Sequence, residues 1–160
     1  MACSLSNPSK IGVVEEDNAL RIYSADTGKV KFLLQGVWAE RTDGYANQDY
    51  NYLSVASSAD GNLVAIGAPR RKIRILTLDQ ARPVFEVGTD GLNAYAFSSD
   101  GKRLLSGTDY PQHLQIWDVA NGKELFAVDS TTHQGGGAFS PDGKRVAIWG
   151  AKARSSGSPV

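Results

Sequence analysis

The sequence predicts an all-β fold built from repeated four-stranded antiparallel sheets, and three observations predict it. Short apolar runs are separated by Asp-Gly and Asn-Gly dipeptides, which favour the tight turns of β-hairpins. The Asp-Gly pairs begin at residues 60, 100 and 142, so they recur at intervals of 40 and 42 residues. Each pair follows a Ser two residues earlier and precedes a short apolar strand. A repeat of this length with several short strands is typical of a β-propeller, in which each sheet is called a blade.

One stretch, residues 92–129, contains all four strands of such a sheet and is called unit three. Two Gly-containing dipeptides mark its hairpin turns, and its third strand alternates apolar and polar side chains as a half-buried strand does. The predicted strands are Tyr95–Ser98, Arg103–Gly107, Leu114–Val119 and Glu124–Val128. A single sheet of this kind has two apolar faces and cannot bury either one alone, so neighbouring units must stack on it.

Unit three also carries a succession of short motifs. They are Phe97-Ser98 followed by Asp100-Gly101-Lys102, Ser106-Gly107 at the end of the second strand, and Ile116-Trp117-Asp118 followed by Asn121-Gly122-Lys123. This succession resembles one repeat of the WD-repeat β-propeller proteins, closely over unit three and more loosely elsewhere. The resemblance implies a non-catalytic scaffold that binds a protein or peptide partner on the loop face of the propeller.

The resemblance further implies a buried hydrogen-bonded network that holds each unit rigid. In the family pattern a His, a Ser or Thr, an Asp and a Trp form this network, and such a set is rigid when all its members are satisfied. Ser106 or Thr108, Asp109 and Trp117 fit three of the four places in unit three, and the His is missing. The role of this network would be structural.

The remaining sequence divides into less regular units. Residues 52–88 form unit two, with four strands but without the Trp-Asp pair. Residues 10–35 give three strands and form unit one, and residues 134–150 give two strands and form unit four. We expect residues 1–9 to be an N-terminal tail and residues 151–160 to be a disordered tail.

The number of predicted strands does not determine how the propeller ring closes. A closed propeller takes typically 4–8 blades, and residues 10–150 hold only about three to three and a half. Incomplete blades leave unpaired strand edges, which are a liability because they pair with other chains. The chain is therefore a fragment of a longer propeller, a subunit completed by head-to-tail association, or an open array. The first two alternatives are favoured over a stable monomer.

Charge and cysteine content argue against several classes of function. The 160 residues carry 17 basic and 17 acidic side chains, and zero net charge argues against a dedicated nucleic-acid-binding protein. Cys3 is the single cysteine, so no intrachain disulfide forms and no oxidising compartment is required. The N-terminal sequence lacks the pattern of a signal peptide, and no apolar run approaches the ~20 residues of a membrane span. We therefore expect a cytoplasmic protein with no membrane partner.

A long insertion between units one and two is the main candidate for partner binding. This aromatic loop, Gly36–Asn51, is polar, glycine-containing and rich in Trp and Tyr. Loops of this length are uncommon in compact domains and often bind ligands or partners, and exposed Trp, Tyr and Arg anchor protein interfaces. The alternative is a tolerated insertion whose aromatic side chains pack on the rim. Its Asp and Asn residues lack the spacing of a calcium loop.

A basic turn of unit two is the second candidate. It contains Arg70 and Arg71, and Glu15-Glu16-Asp17 is the equivalent acidic turn of unit one. These turns are either solvated hairpin tips or complementary surfaces of two chains that meet head to tail, which would favour rapid association in one register. The candidate partner-binding residues are therefore Trp38, Arg41, Tyr45, Tyr50, Arg70 and Arg71.

Catalysis finds little support in the residue types present. Two histidines, His113 and His133, and one terminal cysteine give no metal-ligand cluster of useful spacing. Gly135-Gly136-Gly137 lacks the Lys of a phosphate-binding loop. We expect no enzyme activity, no metal and no cofactor. Two alternatives remain: a propeller accessory to a peptidase or transport-associated enzyme, and a truncated fragment of a longer WD-repeat protein.

Overall fold

A computed structural model of the chain describes residues 2–4, 10–14, 20–24, 26–34, 54–67, 72–78, 82–88, 93–108, 113–129 and 132–152. These residues form fourteen β-strands in four antiparallel sheets, and every sheet runs in sequence order. The all-β prediction is confirmed, because each described element is a strand or a turn. No helix in the described part of the chain is long and apolar enough to cross a membrane.

Each sheet corresponds to one repeat of the sequence. Unit one holds β1 (Ala2–Ser4), β2 (Lys10–Val14), β3 (Leu20–Ser24) and β4 (Val30–Leu34). Unit two holds β5 (Ser54–Ser57), β6 (Leu63–Gly67), β7 (Ile73–Thr77) and β8 (Pro83–Val87). Unit three holds β9 (Asn93–Phe97), β10 (Arg103–Gly107), β11 (His113–Asp118) and β12 (Glu124–Asp129). Unit four holds β13 (Thr132–Phe139) and β14 (Val146–Lys152).

Two strand assignments from the sequence need correction. Residues 1–9 are not only a tail, because β1 pairs with β2 and gives unit one a fourth strand. Three residues are too short to show an alternating pattern, and the free edge of β2 supplies the partner that fixes them. Unit four is also longer than expected, since β13 begins at Thr132 and β14 runs to Lys152.

The pairing of the third and fourth strands repeats in register from unit to unit. Ile22 lies opposite Phe32, Ile75 opposite Phe85 and Ile116 opposite Phe126. Directly after each of these Ile residues the register shifts, so that the fourth strand carries one extra residue. A β-bulge of this kind increases local twist and is a specific feature of a fold. Three units therefore share one local geometry despite their different sequences.

The best-defined core lies between units two and three. It is formed by apolar side chains that both sheets bury, with Ala56, Ala65, Ile73, Ile75 and Val87 from unit two and Ala94, Phe97, Leu104, Trp117 and Val119 from unit three. The first strands of units two, three and four lie next to one another, since β9 contacts both β5 and β13. Sheets that meet at their first strands are arranged like the blades of a propeller.

Candidate interaction surface

The Ser-x-Asp-Gly turns join the first and second strands of units two, three and four in the same way. In unit three the Ser98 hydroxyl donates to Asp100 Oδ1 at 2.6 Å and accepts the Arg103 N–H at 3.0 Å. Asp100 Oδ1 also accepts the Lys102 N–H at 3.1 Å. The matching bonds of Ser58 with Asp60 and of Ser140 with Asp142 are each 2.5 Å.

These turns are wider than the two-residue hairpins that the Asp-Gly dipeptides suggest. The Ser98 N–H donates to the Arg103 carbonyl and the Gly101 N–H donates to the Ser98 carbonyl, both at 2.9 Å. Gly101 has a φ of +69°, in the left-handed region that favours glycine. The Ser and Asp side chains thus satisfy backbone N–H groups that a wider turn leaves unpaired.

Hydrogen bonds lower the pKa of the three turn carboxylates. The pKa of Asp100 lies below its ordinary value chiefly because the Ser98 hydroxyl and then the Lys102 N–H donate to it. The pKa of Asp60 is lowered first by the Ser58 hydroxyl and then by the Asn62 N–H. The pKa of Asp142 is lowered first by the Ser140 hydroxyl and then by the Lys144 N–H. A carboxylate that accepts such bonds is stabilised in its charged form. These aspartates are therefore structural anions.

Two members of the predicted structural network are in contact in unit three. Trp117 Nε1 donates to Ser106 Oγ at 2.8 Å, and both residues are buried. Thr108 is also buried, and its hydroxyl accepts the His113 N–H at 3.2 Å. Thr108 therefore closes the β10–β11 hairpin. Asp109 lies outside the described residues.

The predicted partner-binding residues also lie outside the described part of the chain. This holds for Trp38, Arg41, Tyr45, Tyr50, Arg70 and Arg71. The strands that flank them are described. Leu34 lies opposite Leu20, and Ser54 lies opposite Gly67, so the aromatic loop joins β4 to β5 at the end of the sheets where the second and third strands are linked. The basic turn follows Gly67 at the same end of unit two.

A contact between a histidine and an aspartate lies at this end of unit three. His113 Nδ1 is 2.5 Å from Asp129 Oδ1, and the His113 side chain is 39% exposed whereas the Asp129 side chain is 86% exposed. A surface pair of this kind contributes little to stability. Within the described residues, no group of three His, Cys, Asp or Glu side chains is placed to hold a metal ion.

The sequence did not predict that several apolar side chains on β12 and β14 are exposed. Phe126 and Val128 on β12 are exposed, as are Ile148 and Trp149 on β14. Gly136 lies beneath the indole of Trp149, and a β-carbon there would lie 2.6 Å from the ring. Soluble proteins rarely leave clustered apolar side chains exposed without a function for them. The sequence feature related to this exposure is that unit four was predicted to contribute two strands, whereas units two and three contribute four each.

Comparison with known proteins agrees with this architecture. No protein-family model matches the chain. The chain is 32% identical over 97 residues to telomerase protein component 1 of Mus musculus, a match that covers 59% of this chain and 4% of that protein. It is 32% identical over 89 residues to an uncharacterized WD repeat-containing protein of Deinococcus radiodurans, with 53% of this chain and 33% of that protein covered. The chain thus spans a third or less of these relatives.

A solved structure shows the same fold. The crystal structure of the RRP9 WD40 repeats superposes with a TM-score of 0.66 and 17% sequence identity, over 85% of this chain and 40% of that chain. At this identity the likeness concerns the fold. Together with the two sequence relatives and the repeated Ser-x-Asp-Gly units, it supports a WD-repeat family for this chain.

Proposed function

We propose that this protein is a non-catalytic scaffold that captures a protein or peptide partner through the aromatic loop and the neighbouring basic turn. WD40-repeat proteins generally bind protein partners, which gives the class of function. The observation that carries the proposal is where the flanking strands end. Strand β4 ends at Leu34 and β5 begins at Ser54, and in each of these two sheets that is the end at which the second and third strands are linked. The segment that contains Arg70 and Arg71 follows β6 at that end of unit two.

The residue types of the loop support this site. Trp and Tyr offer large contact areas with few rotatable bonds, and Arg offers several hydrogen-bond donors, so these side chains dominate the energetics of many interfaces. The Ser-x-Asp-Gly turns lie at the opposite end of the sheets, so the sequence of the aromatic loop can change without affecting their hydrogen bonds. The same residues lack a nucleophile paired with a base, which favours binding over catalysis.

Replacing Trp38, Tyr45 and Tyr50 together with Ala tests the site. We expect partner recovery in a pull-down to fall at least tenfold, because loss of one aromatic anchor alone often costs 2 kcal/mol or more. The measurement is recovery of the partner from extract by immobilised protein. Circular dichroism checks that the fold is retained.

Val30→Ala is the matched control. Val30 is exposed and lies at the start of β4, whereas the aromatic loop follows the end of that strand. This variant should recover the partner as the parent protein does. Equal recovery by the triple variant and the parent would refute the site and leave the family assignment intact.

A further inference from the structure

The turn between β11 and β12 contains Asn121-Gly122, in which an exposed asparagine precedes a residue that has no side chain to crowd it. This dipeptide can deamidate. The Gly nitrogen loses its proton and attacks the side-chain Cγ of the Asn, ammonia leaves, and a cyclic succinimide forms. Water then opens the succinimide at either carbonyl and gives aspartate or isoaspartate. The net reaction consumes one water, releases one ammonia and converts the side-chain amide into an acid.

Both ends of the Asn121 side-chain amide are hydrogen-bonded in the folded turn. Its Oδ1 accepts the Lys123 N–H at 2.9 Å, and its Nδ2 donates to Asp118 Oδ2 at 3.3 Å. The other carboxylate oxygen of Asp118 accepts the Ala120 N–H at 2.8 Å, which holds the carboxylate in place. Deamidation expels Nδ2 as ammonia, so the bond between Asn121 and Asp118 must break before the reaction can finish.

The nucleophile of this reaction is held as well. The Gly122 N–H donates to the Asp118 carbonyl at 2.8 Å, and attack requires that this proton be lost. A carboxylate close by opposes the negative charge that then develops on the nitrogen. A β-carbon on Gly122 would lie 3.4 Å from the Phe85 ring and 3.5 Å from Val87 Cγ1, so the turn backbone packs on unit two. The turn therefore has little room to take the shape of a succinimide ring.

Unit one contains the same turn without an asparagine. There the Gly28 N–H donates to the Ser24 carbonyl at 2.8 Å, and the Thr27 hydroxyl accepts a backbone N–H at 3.4 Å, in the place of the Asn121 side chain. The backbone of the turn thus does not require asparagine. Ser24 occupies the place of Asp118, so of these two turns the one with the reactive amide is also the one with the carboxylate.

We propose that the Asp118 carboxylate keeps Asn121 from deamidating, so that this turn is a modification site that stays unreacted while the β11–β12 hairpin is folded. Asp118 is a positioning residue here, because it holds the leaving group and disfavours charge on the nucleophile. An acid at position 121 would place a second carboxylate beside that of Asp118. Isoaspartate would also add a carbon to the backbone that packs on Phe85. A turn that opens and reacts would therefore not close again in the same way.

Asp118→Asn tests the proposal in the full-length chain. This variant keeps an acceptor for the Ala120 N–H but loses the charge and the acceptor that binds the Asn121 amide. The chain is incubated at neutral pH, and tandem mass spectrometry of residues 113–129 measures the fractions of aspartate and isoaspartate at position 121. We expect the variant to deamidate roughly fivefold faster than the parent, which corresponds to the loss of about one hydrogen bond. The parent should deamidate at least about tenfold faster when unfolded in guanidinium chloride, because the reaction needs an open turn.

Glu124→Gln is the matched control. Glu124 and Asp118 lie three residues from Asn121 on opposite sides, but Glu124 accepts a hydrogen bond from Gln115 at 2.8 Å. This variant removes the same charge from the sequence and should deamidate like the parent. Hydrogen exchange at the Gly122 amide measures opening of the turn, and it should be the same in Asp118→Asn and the parent.

Three results would each overturn the proposal. The first is an Asp118→Asn chain that deamidates at the parent's rate. The second is an equal rise in deamidation in Glu124→Gln. The third is a rise in Asp118→Asn that an equal acceleration of Gly122 exchange accounts for, because the side chain would then act only through the stability of the turn. None of these results bears on partner binding by the aromatic loop.

Discussion

Single hydroxyl groups organise the turns of this protein. In each Ser-x-Asp-Gly turn the Ser hydroxyl donates to the Asp carboxylate and accepts one backbone N–H, and the same carboxylate oxygen accepts a second backbone N–H. In unit three a second hydroxyl, that of Ser106, accepts the indole N–H of Trp117 inside the core. Loss of either hydroxyl would leave a donor without a partner, which costs about 1–3 kcal/mol when the donor is buried.

Stability should depend on pH through the turn aspartates. The pKa of Asp100 is lower in the folded chain than its ordinary value of 3.8, so the unfolded chain binds protons first as the pH falls. The stabilisation is therefore complete above about pH 5 and is lost as the pH falls through 3.8 toward the folded-state pKa. Asp100→Asn has no carboxylate to protonate.

We expect the gap in unfolding free energy between the parent and Asp100→Asn to be larger at pH 7 than at pH 3. Urea denaturation at both pH values measures this gap. Ser98→Ala removes the main donor and should also reduce the pH dependence. A gap that stays constant across this range would show that the hydrogen bonds to Asp100 do not favour its charged form.

At the level of the element, the Ser-x-Asp-Gly hairpins need a glycine with positive φ. Gly61, Gly101 and Gly143 have φ values of +68°, +69° and +67°. A side chain in this conformation meets the following carbonyl, which costs about 1–2 kcal/mol. Glycine therefore follows Asp in each of these turns because the turn needs a residue with positive φ at that position.

Gly101→Ala should lower the free energy of unfolding by about 1–2 kcal/mol through backbone strain alone. A β-carbon there would meet nothing nearer than Ser58 Cβ at 3.8 Å, so packing is not disturbed. Urea denaturation measures the loss. Gly135→Ala is the control, since its nearest contact would be an ordinary 3.5 Å and its φ is not in the strained range. Equal losses in the two variants would contradict the assignment to positive φ.

For the whole molecule, stability rests on cores shared between neighbouring units. Leu104 is fully buried in the cluster that joins units two and three, whereas the outer strand β12 is exposed along its length. In repeat proteins the interfaces between neighbours contribute much of the stability and couple the units. Units two and three should therefore unfold together.

Leu104→Ala should reduce the free energy of unfolding by about 2–5 kcal/mol, because it removes a fully buried side chain from a shared core. Hydrogen exchange should then accelerate in β5–β8 as well as in β9–β12. Val128→Ala, at an exposed position, should change stability by no more than about 0.5 kcal/mol. Faster exchange confined to unit three would contradict a shared core.

The features that could be predicted from the sequence alone are those determined by interactions between residues close in sequence. The turns and most strands were predictable because Asp-Gly, Asn-Gly and alternating apolar residues act over a few neighbours. The strand β1 was not, since three residues acquire their conformation only by pairing with β2. The exposure of Phe126 and Val128 on β12 depends on the number of strands in the neighbouring unit four. The residue pattern within β12 cannot predict that number. The aromatic loop remains a prediction from residue types.

The bulge that follows Ile22, Ile75 and Ile116 has a geometric consequence. One surplus residue on each fourth strand adds right-handed twist at the same point, so the outer strand turns away from the third by the same sense each time. The three sheets therefore share one source of added twist, which lies at the same point of each outer strand and does not depend on the rest of its sequence.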